Sequence, residues 1–230
     1  MKNEVYTTYN AIVLSISSLF VLVFWYVLGV ITFPKDWETH KGLLLIGKIV
    51  VEYLTSYGFY KLITTILHSL AKRLKFIKSL LLGNSYIEGT WIGYYIGVSG
   101  EIRYIIEYYE QDLDGIQIRG ESYTKDLKLH SKWSSTSVNV LPDIGQIIYT
   151  YTVESTDENT NNLGCASLSF KRNSKNDSPY ALLGYSIDVQ FGKRVSNYER
   201  KISKNGRNCD KSPQYIEIAR QEFECNPLHL

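Results

Sequence analysis

The chain has 230 residues, of which 44% are hydrophobic, 13% aromatic and 21% charged, a composition that excludes a disordered polymer and leaves room for one or two compact domains. Its formal net charge of +2 hides a segmental split: residues 1–42 balance, 43–67 carry +1, 68–83 carry +4 with no acid, and 84–230 carry −3. Cys165, Cys209 and Cys225 form an odd set without C-x-x-C spacing, and His40, His68, His130 and His229 are scattered. Neither a disulfide framework nor a metal site is expected, and a reducing compartment is the simplest host.

Ala11 to Phe33 is a run of 23 residues without a charge. As a helix it measures about 34 Å, enough for a hydrocarbon core of about 30 Å, so the expectation is a transmembrane span. A cleaved signal peptide would have a shorter apolar run ending in small residues, whereas this one ends Thr32-Phe33-Pro34-Lys35. Leu43 to Leu67 reads as a second span, interrupted by Lys48, Glu52 and Lys61, each costing about 2.5–3.5 kcal/mol at mid-membrane. Lys48 and Lys61 lie toward opposite ends, where their ammonium groups can snorkel outward. Glu52 stands four residues from Lys48 and either pairs with it or faces another helix or a water-filled space, which makes the three charges candidate membrane-active residues.

The short loop 34–42 makes the two spans a helical hairpin. Lys72, Arg73, Lys75 and Lys78 follow the second span without an acidic neighbour, so the positive-inside rule puts the larger C-terminal part in the cytoplasm. The same collar is suited to anionic headgroups.

From Asn84 the hydrophobic period changes to that of strands. Eight are expected, over 86–98, 101–111, 115–123, 127–140, 145–156, 163–171, 180–192 and 196–203. Their connections, among them Ser99-Gly100, Asp112 to Gly115 and Pro142-Asp143, are too short for crossover helices, so neighbours pair antiparallel in sequence order and close into an up-and-down barrel able to hold a small ligand. Ser212 is then an N-cap and Pro213 the first residue of a short helix bearing Tyr215, Ile218, Ala219 and Phe223. The expected fold class is therefore a membrane-anchored all-β protein. Residues 1–83 form the two-helix anchor, and 84–230 form an eight-stranded antiparallel β-barrel with a C-terminal helix.

Because each hairpin reverses the chain, strand polarity assigns residues to barrel ends. Trp91 falls low in strand one, within a Gly89-Thr90-Trp91 that resembles the floor-plugging G-x-W of lipocalins. The opposite rim gathers Tyr95, Arg103, Arg119, Tyr123, Tyr151, Lys193, Arg194 and Tyr198. Arginine forks hold phosphates and aromatic faces stack on bases, so Tyr95, Arg103, Arg119, Tyr151, Arg194 and Tyr198 are the candidate ligand-binding residues. Alternation leaves open which of them point inward and which are ordinary solvent-facing residues. The base carries Lys171, Arg172, Lys175, Lys201 and Lys204, suited to anionic lipid. The acidic domain offers no extended basic stripe, so no DNA or RNA polymer is expected as partner. Walker, G-x-S-x-G, H-E-x-x-H and zinc-deaminase patterns are all missing, and the expectation is a protein that is not an enzyme and needs no cofactor.

Two apolar N-terminal segments, a basic juncture and a β-domain opening Tyr86-Ile87-Glu88-Gly89-Thr90-Trp91-Ile92-Gly93-Tyr94-Tyr95 together resemble the two-transmembrane, β-strand-rich effectors of bacterial cyclic-oligonucleotide antiphage signalling (CBASS). The resemblance lies in layout and strand texture over nearly the whole chain. It implies a cyclic dinucleotide, made by a partner nucleotidyltransferase, as activating ligand, followed by self-association in the inner membrane, membrane disruption and abortive cell death. Two other architectures share the expected barrel: a tethered lipocalin-like carrier, whose interior would lack inward arginines, and a scaffold whose barrel is filled.

Overall fold

The computed structural model describes residues 2–30, 41–112, 114–156, 161–189, 192–204, 212–225 and 227. These form two compact units, a helical one over 3–81 and a β-rich one from Leu82 onward.

In the helical unit, α1 (Lys2–Val30), α2 (Lys41–Arg73) and α3 (Lys75–Leu82) follow in order. α1 and α2 touch where Phe24 meets Phe59 edge-on at 5.6 Å, and Val13, Ser17 and Ile63 are buried. The membrane-spanning assignment of these helices needs correction: among the described residues no helix is long and apolar enough to cross a membrane. The last residues of the expected first span, 31–33, lie outside the described residues. In α2 the charges at 48, 52 and 61 break the apolar run. Lys61 is exposed on α2, whereas the side chains of Lys48 and Glu52 lie outside the described set. The basic collar is not a free tail, since Lys72 and Arg73 end α2 and Lys75 and Lys78 belong to α3.

The second unit is the expected barrel. Its strands are β1 (Gly89–Ile96), β2 (Ile102–Gln111), β3 (Ile116–Tyr123), β4 (Leu129–Leu141), β5 (Gln146–Ser155), β6 (Asn161–Lys171), β7 (Ala181–Asp188) and β8 (Arg194–Ser203). They pair in sequence order, and β1 closes on β8 with Gly93 opposite Glu199. Hairpin connections leave antiparallel neighbours as the only available partners, and closure removes both sheet edges. α4 (Ser212–Cys225) begins at the expected cap and lies across the outer faces of β1 and β2.

This external helix explains why β1 and β2 carry large apolar residues on their outer face. Ile92, Tyr94, Tyr104, Ile106 and Tyr108 point outward and pack with Ile216, Ala219 and Phe223 of α4. The alternate residues of the same strands point inward. Trp91 and Tyr109 join Ile87, Ile118, Val140, Ile147, Ala166, Leu168 and Leu182 in a second core that fills the lower part of the barrel. The barrel is thus a cup with a solid lower half.

Candidate functional site

Above that core a cavity of about 700 Å³ opens at the end carrying the β1–β2, β3–β4, β5–β6 and β7–β8 connections, within the size range of small-ligand pockets. Its wall includes Tyr95, Arg103, Trp133, Tyr149, Tyr151 and Lys193, with Glu101, His130 and Asp188 near the mouth and Glu107 at depth. Cross-strand register places these side chains. Tyr95 is opposite Arg103, and Trp91, Glu107, Gly120, Trp133 and Val153 form one continuous row across β1 to β5.

Two glycines make the aromatic wall possible. A methyl group on Gly120 would fall inside the Trp133 indole, 2.5 Å from Nε1, and one on Gly164 would fall inside the Tyr151 ring, 2.6 Å from its hydroxyl. Each glycine lets a large ring from the neighbouring strand lie flat over its backbone, which is the use of glycine at such close approaches. Trp133 thereby crosses Gly120 to reach the next residue of the row, and its Nε1–H donates to Glu107 Oε1 at 2.8 Å.

At the depth of the cavity lies a buried carboxyl pair, of which Glu107 lines the cavity. Glu107 Oε1 also accepts from the Tyr149 hydroxyl at 2.9 Å, and the Tyr109 hydroxyl lies 2.8 Å from Glu107 Oε2 and 3.0 Å from Glu199 Oε2. Both carboxyls are buried, at 1% and 0% exposure. A phenol carries one proton and cannot donate to two carboxylates at once, so the group holds an additional proton. Glu107, which already accepts from Trp133 and Tyr149, is the natural anion, and Glu199 is the acid. Electrostatics agrees: burial and then the neighbouring Glu107 charge push the Glu199 carboxyl well above the usual range, while burial raises Glu107 against the opposing effect of its hydrogen bonds. The same burial and the two carboxyls push the Tyr109 and Tyr149 phenols well up, so both stay protonated as donors.

The six candidate residues divide by strand parity. Tyr95, Arg103 and Tyr151 line the cavity. Arg119 does not: it sits on the outer face of β3, paired with Glu110 beside a shallow groove. Arg194 is exposed and stacks over Tyr185, its guanidinium carbon 4.4 Å from the ring centre. Tyr198 also points outward, where its hydroxyl donates to Glu222 of α4 at 2.9 Å. These three corrections share a cause, since residues an odd number of positions from an inward neighbour face the other way: Arg194 and Tyr198 flank inward Val195 and Asn197, and Arg119 flanks inward Ile118. Burial raises the phenols of Tyr95 and Tyr151, so both rings are neutral at physiological pH.

Sequence reasoning passed over Trp133, Tyr149 and the Glu107–Glu199 pair. An acidic residue alternating with apolar neighbours was the available signal, but α4 covers the outer face of β2, so the apolar positions of that strand point outward and its charged ones inward, the reverse of the usual reading. At the closed end the expected basic patch is partly internal. Lys201 lies inside, 5.2 Å from the Tyr86 ring centre and 5.4 Å from that of Trp91, and burial brings its ammonium down to about 8. Arg172 binds the backbone carbonyls of Pro142, Lys175 and Asn84.

No protein-family profile matches the chain, and no curated protein and no solved structure matches it.

Proposed function

We propose that the barrel is a receptor for a cyclic dinucleotide and that the chain acts as an effector in bacterial antiphage signalling of the CBASS type, switched on by the product of a partner nucleotidyltransferase. The observation that carries this proposal is the open cavity of about 700 Å³ in which Tyr95, Trp133 and Tyr151 supply stacking faces and Arg103 and Lys193 supply cations beside the mouth. Aromatic faces suit bases and guanidinium forks suit phosphates. An apolar-ligand carrier would want no inward arginine, and a filled scaffold would have no cavity.

The helical unit supports a second step. Leu19, Leu22 and Tyr26 on α1, and Tyr53, Leu54 and Leu62 on α2, are exposed, an apolar surface suited to self-association at the inner membrane. A ligand that binds the assembled state more tightly than the monomer shifts the population toward assembly, and the assembly then damages the membrane and kills the cell.

Calorimetric titration of the full chain with cyclic dinucleotides tests the first step: saturable binding is expected, weakened about tenfold to a hundredfold by Arg103→Glu, in line with loss of a charge-assisted bond. Arg119→Glu and Arg194→Glu change side chains outside the cavity and should leave affinity within a factor of about two. Silence with every cyclic dinucleotide would overturn the receptor assignment. Dye release from loaded vesicles tests the second step, and leakage independent of ligand would separate it from the first.

A further inference from the structure

We infer that the cavity floor is an acceptor-only, negatively charged subsite that selects the amino-bearing edge of its ligand, favouring bases with an exocyclic amine over those that lack one. The inference takes the class of ligand from the function proposed above and adds to it which end of the ligand goes in first and what that end must carry.

Hydrogen-bond bookkeeping at the floor leads to this polarity. The Trp133 Nε1–H and the Tyr149 hydroxyl proton are both committed to Glu107 Oε1. The Tyr109 proton is committed to one of the two carboxyls. A carboxylate has about four lone-pair sites, so three donors leave Glu107 with acceptor capacity, and Tyr149 retains lone pairs on its hydroxyl oxygen. Glu107 and the Tyr149 hydroxyl oxygen thus face the cavity as acceptors, and the four donors of the group, the Trp133 N–H, the two phenols and the Glu199 acid, are all spoken for within it.

Charge points the same way. Glu107, Glu199, Tyr109 and Tyr149 are the titratable groups facing one another from β2, β8 and β5, and the inward cation on β8, Lys201, stands two residues toward the closed end against the Tyr86 and Trp91 rings. Arg103 is on the same face of β2 as Glu107 but four residues toward the mouth, about 13 Å along the strand. A ligand that fits both ends carries its anionic part at Arg103 and Lys193 and its N–H donors at Glu107. An inserted carbonyl oxygen would meet only acceptors and lose its hydration without replacement. The raised Glu199 carboxyl supports the count, because it keeps the pair from carrying two charges that would expand the floor.

The test is calorimetry on the full chain at pH 7 with cyclic di-AMP, cyclic di-GMP and cyclic di-IMP, the last having no exocyclic amine, and separately with benzamidine, an aromatic amidinium without phosphate. At least one amino-bearing dinucleotide should bind tenfold or more tightly than cyclic di-IMP. Benzamidine should bind as well, and Glu107→Gln, which puts an amide donor into the floor, should collapse the dinucleotide gap and weaken benzamidine at least tenfold. Cyclic di-IMP binding as tightly as the better of the other two would overturn the inference, as would benzamidine giving no heat. If benzamidine binds in a Glu107-dependent way while no dinucleotide binds, the floor stands and the nucleotide-receptor function falls. The comparison among ligands is made on the unaltered protein, so it decides even if the variant fails to fold.

Discussion

Gly120→Ala is the sharpest probe of how the cavity wall is built. The added methyl would lie 2.5 Å from Trp133 Nε1 and closer still to Cε2 and Cζ2, whereas carbon contacts settle at about 3.5–4.0 Å. The indole must therefore withdraw by about 1 Å or more. Its bond to Glu107 is 2.8 Å long, so withdrawal takes it past hydrogen-bond range and leaves a buried carboxylate with one donor fewer. Loss of a bond to a charged group costs about 1.5–3 kcal/mol, and overpacking adds about 1–3 kcal/mol. The lower backbone entropy cost of alanine returns about 0.5–1 kcal/mol. The expected net destabilisation is about 2–5 kcal/mol, read as a lower urea midpoint at unchanged slope. A double-mutant cycle isolates the cause: in a Trp133→Val background, which lacks all three colliding atoms, Gly120→Ala should cost less than about 1 kcal/mol. Equal cost in both backgrounds would refute the claim that the glycine exists to let the indole through.

The carboxyl pair makes stability depend on pH in a direction opposite to the common one. Glu199 is raised by burial and then by Glu107, so above the ordinary glutamate value of about 4.3 the folded state keeps a proton that the unfolded chain has lost, and stability falls as pH rises toward the folded value. Glu199→Gln, whose amide donates to Tyr109 without titrating, should flatten the melting temperature between pH 4 and 8 relative to wild type; parallel profiles would contradict the proton assignment. Lys201 sits at about 8 because of burial, so its contribution is lost as pH falls through that value, and Lys201→Met should stabilise by about 1–2 kcal/mol at pH 7 with the gain shrinking by pH 10. Urea midpoints at the two pH values check it, and a gain of the same size at both would show that packing rather than charge is responsible. Tyr198→Phe removes the hydroxyl that donates to Glu222. α4 amides should then exchange about fivefold faster, the equivalent of about 1 kcal/mol of local stability, with cavity affinity unchanged; loss of affinity would mean that Tyr198 acts on the ligand after all.

Strand number, antiparallel order and closure followed from the sequence because hairpin-sized connections admit no other pairing, and the C-terminal helix followed from Ser212 and Pro213, whose capping chemistry is local. The barrel end at which Tyr95, Arg103 and Tyr151 gather is likewise a matter of counting reversals along the chain. The face each strand turns inward is a different kind of fact. A period of two tells neighbours apart without saying which is inside, and where α4 covers β2 the apolar face is the outer one while Arg103 and Glu107 turn inward, so the ordinary apolar-inside reading runs backwards there. Arg103 and Arg119 are chemically the same residue, and only closure of the barrel turns one into the cavity and the other toward Glu110. Glu107 and Glu199 are separated by most of the β-domain in sequence and meet at one phenol only because β2 and β8 flank β1 in the closed sheet. For the helices, too, a charge-free run gave a length, but among the described residues no helix is long and apolar enough to cross a membrane, and the charges embedded in α2 interrupt its apolar run. Local propensity and chain reversal are properties of a linear string; inside and outside are defined only once the sheet has closed and the helix has settled on it.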